Sequence, residues 1–273
     1  MKREMICLNC GNRFKGNFCP HCGQSAKTRR LKLREMMTNA VAPFMGGDSR
    51  FVRSCRDLLV RPGIIARNYL IGRRMRYYHP LQMYVYLLTA YAVFSYVLGV
   101  SGSFFDDMTT IRFDAEVEPS KYSSVDYVLG QITNISSNKL YGTIIIALFS
   151  VVPFTWVFRK CDVVRQDGEA LPLNYIEQFY TQLYHSCVSL ALSILMLPLC
   201  FIPGADDVLS DAFPYISFVY SIILYSQLMG IKLWKSAVLN AIAWGLTILL
   251  VSLALFLVVV PFGVMEGLKE VGE

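Results

Sequence analysis

Four cysteines near the start of the chain have the spacing of a metal site. They form two Cys-x-x-Cys-Gly knuckles, Cys7 to Gly11 and Cys19 to Gly23, with eight residues between Cys10 and Cys19. The glycine permits the tight turn that directs both sulfurs of a knuckle at one ion. Four thiolates at about 2.3 Å form a closed tetrahedral Zn²⁺ site, which is structural rather than catalytic. The spacing therefore predicts a zinc-ribbon-like module over residues 1–26, and its ligands are Cys7, Cys10, Cys19 and Cys22.

The predicted module is too small for a core of its own, so the metal must supply most of its folding free energy. Phe14 and Phe18 are its candidate apolar cover, and four cysteines leave His21 without a place in the tetrahedron. Iron is the alternative metal. Because no apolar signal segment precedes the cysteines, we expect them to face a reducing compartment.

A second set of polar side chains lies inside or beside strongly apolar segments: Glu177, His185, Gln227 and Asn240. On a helix, Glu177, Thr181 and His185 share one face, since they are spaced by four. An ionisable group inside a membrane is a functional hypothesis by default. Two interpretations remain open, namely a polar path near Glu177 and His185, or residues that serve the cytoplasmic interface and hydrogen bonds between helices.

Motifs for covalent or nucleotide chemistry are missing from the sequence. It has no Ser-His-Asp order, Walker loop or dinucleotide glycine pattern, and its apolar segments carry no paired carboxylates. We therefore expect a protein that is not an enzyme. A membrane enzyme acting on lipid is the third interpretation.

The segment between Lys27 and Arg76 is strongly basic. Three roles fit it: positive charge that keeps the N-terminus inside, contact with anionic lipid, or nucleic-acid binding. Amphipathic patterns favour the membrane plane over nucleic acid. The candidate residues for contact with lipid or a cytoplasmic protein partner are Arg61, Arg67, Arg73, Arg74 and Arg76.

The composition is that of a membrane protein. Of the 273 residues, 54% are hydrophobic and only 17% are charged, and the mean hydropathy is +0.42. About 20 helical residues cross the hydrocarbon layer, and a helix satisfies its own backbone there. We predict an all-α integral membrane fold with about five transmembrane helices, near residues 82–102, 140–158, 181–202, 213–231 and 237–261. The fourth is the weakest, and a segment that does not fully cross is its alternative.

Charge predicts the orientation. Residues 1–80 carry 17 of the 26 Lys and Arg but only four acids, which gives +13, and the rest of the chain sums to −7 because the total is +6. Base-rich and base-poor connections then alternate, which places the N-terminus in the cytoplasm and the C-terminus outside.

Two amphipathic helices are predicted before the first span, one over 33–44 and one over 51–59. A third is predicted to follow Arg61-Pro62-Gly63 and to run to Tyr78, before His79-Pro80 redirects the chain. The predicted units are therefore a zinc ribbon (1–26), basic interfacial helices (27–80) and a transmembrane bundle (81–265).

Two strings resemble a known family. They are the opening from Cys7 to Gln24 and the segment Asp57-Leu-Leu-Val-Arg-Pro-Gly-Ile-Ile-Ala-Arg-Asn-Tyr-Leu-Ile-Gly-Arg-Arg-Met-Arg-Tyr-Tyr-His-Pro80. Both are similar to the bacterial domain-of-unknown-function family 3667, found mainly in Bacteroidetes. The stretch 174–185 is also similar to that family's third-span entry. The resemblance implies a protein of the bacterial inner membrane and implies no reaction. The topology is also similar to that of Yip-type five-span proteins.

The leading hypothesis is a non-enzymatic inner-membrane scaffold that binds a partner or lipid, with a structural zinc ribbon on the cytoplasmic face. The alternative is a small transporter or channel, and its polar path would contain Glu177, His185, Gln227 and Asn240.

Overall fold

A computed structural model describes residues 4–26, 28, 49–98, 139–164, 170–202 and 205–270. The short strands in this part are β1 (Met5–Ile6), β2 (Arg13–Phe14), β3 (Val163–Val164) and β4 (Ala170–Leu171). The helices are α1 (Ser49–Val60), α2 (Pro62–Leu70), α3 (Pro80–Val97), α4 (Lys139–Val157), α5 (Tyr175–Met196), α6 (Ala205–Met229) and α7 (Leu233–Glu270). Turns of 3₁₀ helix cover Arg74–Arg76, Phe158–Lys160 and Leu197–Phe201.

Helix α5 is the centre of the bundle. It packs against α1, α2, α3, α4 and α6. Asn174 caps its N-terminus: the Asn174 side chain accepts from the Glu177 N–H at 2.8 Å, and Glu177 Oε2 accepts from the Asn174 N–H at 3.0 Å. This reciprocal pair satisfies two backbone donors that a helix start leaves open, which explains why a buried glutamate lies at this position.

Three helices of the described residues are long and apolar enough to cross a membrane. They cover Tyr175–Phe201, Asp211–Met229 and Leu233–Ala254. Of the apolar window, 61% is buried in the first and 17% in the last, so α5 is enclosed by protein and α7 presents Leu249, Leu253 and Leu257 outward. An apolar outer surface on helices of this length is that of a membrane protein.

Spans three to five of the sequence prediction coincide with these three helices. The first two predicted spans fall on α3 and α4 and remain predictions, as does the orientation. The predicted interfacial helix over 33–44 lies outside the described residues, whereas the one over 51–59 is present as α1.

The third predicted helix is shorter than expected. Helix α2 begins at Pro62 but ends at Leu70 instead of continuing to Tyr78. Gly72 follows with φ +108°, which only glycine adopts readily. The chain then makes the 3₁₀ turn Arg74–Arg76 and is extended at Tyr77. The prediction was wrong because helix periodicity says nothing about where a positive φ ends a helix.

Helix α2 is held against α6 by an unusually close contact at Gly63. The Gly63 N–H donates to Gln227 Oε1 at 3.0 Å. A Cβ at Gly63 would lie 2.2 Å from the Leu224 carbonyl oxygen and 2.7 Å from the Leu228 nitrogen. Since these are backbone atoms that cannot rotate away, glycine is required where the two helices meet.

Candidate functional site

Residues 4–26, which we call the cysteine module, contain two knuckles of nearly the same geometry. In the first, the Gly11 N–H donates to the Cys7 carbonyl at 2.9 Å, and in the second the Gly23 N–H donates to the Cys19 carbonyl at 2.9 Å. Both glycines have φ +75°. The antiparallel strands β1 and β2, with Met5 paired to Phe14, flank the first knuckle. The repeated turn brings four sulfurs to one point.

The four sulfurs form a cage of the size that a metal requires. Cys7 Sγ lies 3.5 Å from Cys22 Sγ, and Cys10 Sγ lies 3.6 Å from Cys19 Sγ. All four sulfurs are within 4.8 Å of one another. A tetrahedron with metal–sulfur bonds of about 2.3 Å has edges of about 3.8 Å, whereas a disulfide bond is about 2.05 Å. The four cysteines can therefore hold a metal ion, as the sequence predicted.

The environment of the thiols favours at least one thiolate. Burial raises the pKa of Cys7. Burial also acts on Cys19, but the backbone N–H groups of Cys22 and His21 and the neighbouring thiols outweigh it, and they lower the pKa of Cys19 to about 7. The N–H of Asn12 lowers the pKa of Cys10, yet burial and the other thiols raise it to about 12. Thiols this close to one another titrate together, and binding of a cation would release their protons.

The predicted apolar cover is half present. Phe14 is 6% exposed and packs with Cys7 and Cys19, but Phe18 is 66% exposed. Phe18 pairs with Ser25 in an isolated bridge and leaves its ring in solvent. Phe14 shields the sulfurs, and Met5 and Ala26 pack beside it.

The cysteine module is docked on the turn that follows α2. Gln24 is buried, and its Nε2 donates to the Gly72 carbonyl at 2.7 Å. A Cβ at Gly72 would lie 3.1 Å from Leu8 Cδ1, and one at Gly23 would lie 3.8 Å from Met75 Cε. Leu8 of the first knuckle therefore lies beside Gly72, and Gly23 of the second lies near Met75 of the same turn.

That turn carries three of the predicted contact residues: Arg73, Arg74 and Arg76. The Arg73 Nη1 donates to Asn68 Oδ1 at 3.5 Å. Arg74 lies 6.0 Å from the Tyr69 ring centre, and Arg76 lies 5.7 Å from the Tyr77 ring centre. Rings and an amide thus hold the three guanidinium groups in place. Arg61 is exposed at the start of α2, and Arg67 is half-buried within it.

Among the described residues, an ion pair joins Arg56 and Asp57 at 3.7 Å. No carboxylate in this part of the chain pairs with Arg61, Arg67, Arg73 or Arg76. Most of the predicted contact arginines therefore retain charge that a phosphate can neutralise.

His79, the residue before the proline that redirects the chain, is part of an aromatic cluster beside the arginine turn. Its Nε2 lies 3.1 Å from Tyr180 Oη, and its ring is 6.0 Å from that of Tyr69. Burial, and then the charge of Arg74, lower the pKa of His79 to about 4. His79 is therefore neutral at pH 7, and it joins the turn to α5.

The four polar residues predicted for the bundle occupy different places. Glu177 caps α5, Gln227 accepts from Gly63, and Asn240 joins α7 to α6, since the Ser221 hydroxyl donates to its Oδ1 at 2.7 Å. His185 differs, because it lines a cavity. His185 also makes an interhelical hydrogen bond, to the Ser217 carbonyl at 3.0 Å, so what distinguishes it from the other three is its place beside open space.

The cavity has a volume of about 270 Å³ and lies between α4, α5, α6 and α7. Its wall contains His185, the aromatic residues Phe213 and Trp244, and the polar residues Ser150, Gln182, Ser186, Ser189, Ser193 and Ser217. Sequence analysis missed these serines, since isolated serines are common in membrane helices. Their spacing on α5, at 186, 189 and 193 beside His185, was the signal that could have found them.

These features define a class: a helical membrane protein with an N-terminal cysteine module that can hold a metal. Residues 48–92, which extend from α1 to the middle of α3, match the family described as "Protein of unknown function (DUF3667)". The match confirms the family resemblance found in the sequence. The likeness to Yip-type proteins is not supported. No curated protein and no solved structure matches the chain.

Proposed function

We propose that this protein is a non-enzymatic scaffold of the bacterial inner membrane that binds anionic lipid headgroups through the turn Arg73–Arg76 and through Arg61 and Arg67. The docking of the cysteine module on Gly72, through Gln24 at 2.7 Å, carries the proposal. Arg73, Arg74 and Arg76 lie within four residues, so their like charges repel one another and favour a mobile turn. A rigid module seated on the turn restrains its backbone at Gly72, and an array held in this way binds phosphate at a lower entropic cost.

Zinc is the metal that we propose for the module, and its role there is structural. Four thiolates complete a tetrahedral shell and leave no open position for substrate. The arrangement of the arginines supports lipid as the ligand. They lie at the base of the membrane helices, next to Pro80 at the start of α3, where anionic headgroups would be within reach. Each basic residue near an anionic surface contributes about 1 kcal/mol.

The test is native mass spectrometry of the detergent-purified full chain with added phosphatidylglycerol or phosphatidylcholine. The variant Arg73→Gln/Arg76→Gln should bind phosphatidylglycerol about thirty-fold more weakly, from about 1 kcal/mol for each charge. The matched control is Arg13→Gln/Lys15→Gln, which removes two exposed charges from the module itself. Arg73→Lys/Arg76→Lys should retain most of the binding.

Equal loss in both double glutamine variants would mean that net charge, and not the arginine turn, attracts the lipid. Unchanged lipid binding together with loss of a co-purifying protein would assign the turn to a protein partner.

The cavity favours a second candidate function, a small transporter or channel. Of the four side chains proposed for a polar path, His185 lines the cavity, so such a path would pass His185 and the serines around it instead of Glu177.

A further inference from the structure

We propose that the cavity between α4, α5, α6 and α7 is a binding site for a small neutral polyol, a molecule whose hydroxyl groups both donate and accept hydrogen bonds. This inference is independent of the headgroup proposal, because it uses none of the arginines. It gives a ligand class to the transporter alternative.

The cavity lies in the interior of an apolar span. Its lining on α5 extends from Gln182 to Ser193, whereas the span covers Tyr175–Phe201. At 1.5 Å per residue, these two lining residues are about 10 and 27 Å from Tyr175 along the helix axis. Polar groups at this depth have no bulk water to bond, so each needs a partner in the protein or in the cavity.

Two side chains of α5 have hydrogen-bonding groups without partners. Ser193 is 2% exposed, and its hydroxyl makes no hydrogen bond to any described residue. Gln182 Nε2 donates to Tyr225 Oη at 3.3 Å, which uses one of its two amide hydrogens. The other hydrogen and Oε1 have no partner in the described part of the chain. Both side chains line the cavity, so each offers it a donor and an acceptor.

His185 adds an acceptor. Its Nε2 lies 3.0 Å from the Ser217 carbonyl oxygen. A carbonyl can only accept, so Nε2 carries the proton and donates. In the neutral ring Nδ1 is then a lone-pair acceptor, and it has no partner among the described residues. Because His185 lines the cavity, this lone pair is left for an occupant.

Trp244 adds a donor. Its indole N–H is buried and has no hydrogen-bond partner, and the residue lines the same cavity. An indole nitrogen can only donate. The wall therefore combines unused donors with unused acceptors, and its occupant must supply both kinds of group.

The absence of charge from the wall excludes ions. Among the described residues, no Asp, Glu, Lys or Arg lines the cavity. A cation or an anion would therefore enter the membrane interior without a compensating charge, which is costly. A purely apolar ligand would leave the unpaired groups of the wall unsatisfied. The class that remains is a neutral molecule with both donors and acceptors.

A hydroxyl group fits this requirement, because one oxygen donates and accepts at a single position. The polar residues of α5 also form a row, since positions 182, 186, 189 and 193 recur at helical spacing on one face. Neighbouring hydroxyls of a polyol can bond to successive members of such a row.

The rest of the wall suits the carbon skeleton of a small ligand. Phe213, Trp244 and Leu190 provide apolar surface, and apolar surface with a few placed polar groups is typical of small-molecule sites. The volume of about 270 Å³ is below the range of about 300–1,000 Å³ typical of drug-sized ligands, so the ligand is small.

The probe is glycerol, and the readout is Trp244. The full chain with Trp156→Phe/Trp234→Phe retains Trp244 as its one tryptophan, and both replaced side chains are exposed. In phosphatidylcholine nanodiscs, glycerol should change the Trp244 fluorescence in a saturable way. Three compounds should bind more weakly: glycerol 3-phosphate, which is charged, propan-1-ol, which has one hydroxyl, and urea, which is a neutral amide.

The hydroxyls can come from a free polyol or from diacylglycerol, a neutral lipid. Loss of the glycerol response in nanodiscs that contain diacylglycerol would identify the lipid as the source, because it already fills the site. A persisting response would identify a free polyol. Both results support a hydroxyl site.

The test variant is Ser193→Ala. Because the Ser193 hydroxyl bonds to no described residue, the unfolding midpoint should be retained, while glycerol binding should weaken about three- to tenfold, the effect of one hydrogen bond. The matched control is Thr181→Val on the same helix. It removes a buried hydroxyl that donates to the Glu177 carbonyl at 2.9 Å and does not line the cavity.

Three results would overturn the proposal. The first is the absence of a saturable response to glycerol, which would leave the cavity to water. The second is an equal response to glycerol 3-phosphate, propan-1-ol or urea. The third is equal binding by the Ser193 and Thr181 variants.

Discussion

The cysteine module and the membrane cavity are built in opposite ways. The module brings four ligands together within 16 residues, Cys7 to Cys22, and each half is a turn that its own sequence dictates. The cavity takes its wall from four helices, and His185 and Ser217, which are 32 residues apart, meet only in the folded bundle. A site made by local spacing can be recognised in one sequence, whereas a site made by helix packing cannot. Removal of the metal should therefore unfold the whole module and leave the cavity intact.

The largest effect should come from the metal ligands. Cys7→Ser/Cys10→Ser should reduce the metal content from one ion per chain to none, because two thiolates cannot close the tetrahedron. Structural Zn²⁺ contributes about 10–16 kcal/mol in zinc-finger peptides, so the module should unfold. Metal analysis with native mass spectrometry measures the loss, and Cys55→Ser is the control, since Cys55 lies in α1.

The same cysteine variant sharpens the comparison of the two regions. Hydrogen–deuterium exchange in α5 around Ser189 should be the same in this variant as in the unsubstituted chain. Faster exchange there would show that the module and the bundle form one cooperative unit.

The next largest effect is expected at Gly63. Gly63→Ala places a Cβ 2.2 Å from the Leu224 carbonyl oxygen, so α2 must move away from α6. Overpacking of this kind costs about 1–3 kcal/mol and occasionally more. The thermal unfolding midpoint in detergent should fall clearly. The control is Gly245→Ala, where an added Cβ meets nothing within 4 Å, and an equal fall there would contradict the close contact.

A smaller effect, set by pH, should come from His79. Its pKa is about 4 in the folded protein, because burial and Arg74 disfavour the charged ring, and about 6.5 in an unfolded chain. The unfolded state therefore takes up the proton first. The contribution of neutral His79 to the free energy of unfolding is present above pH 6.5 and is lost as the pH falls towards 4. The loss amounts to at most about 3 kcal/mol.

His79→Gln should remove this part of the pH dependence. The check is the unfolding midpoint between pH 7 and pH 4.5 for both proteins. If the two midpoints fall by the same amount, His79 is not the group that titrates.

Local features of the fold were predictable, and contacts between distant segments were not. The knuckles, the family segment, α1 and three apolar helices follow from spacing and composition. The sequence analysis placed Gly63 in the break before the third predicted helix. In the structure its N–H donates to Gln227, which is 164 residues away. Likewise, nothing local links Gln24 to Gly72.

The polar residues of the bundle illustrate the same limit. Glu177, Gln227 and Asn240 have the residue types of a polar path, yet each makes a capping or interhelical hydrogen bond. The serines that surround His185 are ordinary by type, and only the packing of four helices makes a wall of them. Residue type predicted polar groups within the membrane bundle, and only the structure shows which of them line the cavity.

Hydrogen–deuterium exchange of the full chain before and after removal of the metal by a chelator tests the central claim most directly. That claim is that the metal-held module and the arginine turn form one structural unit. Metal removal should speed exchange in residues 4–26 and also at 71–76, where the module is docked, and should leave α5 around Ser189 unchanged. Unchanged exchange at 71–76 after the metal has been lost would contradict the account.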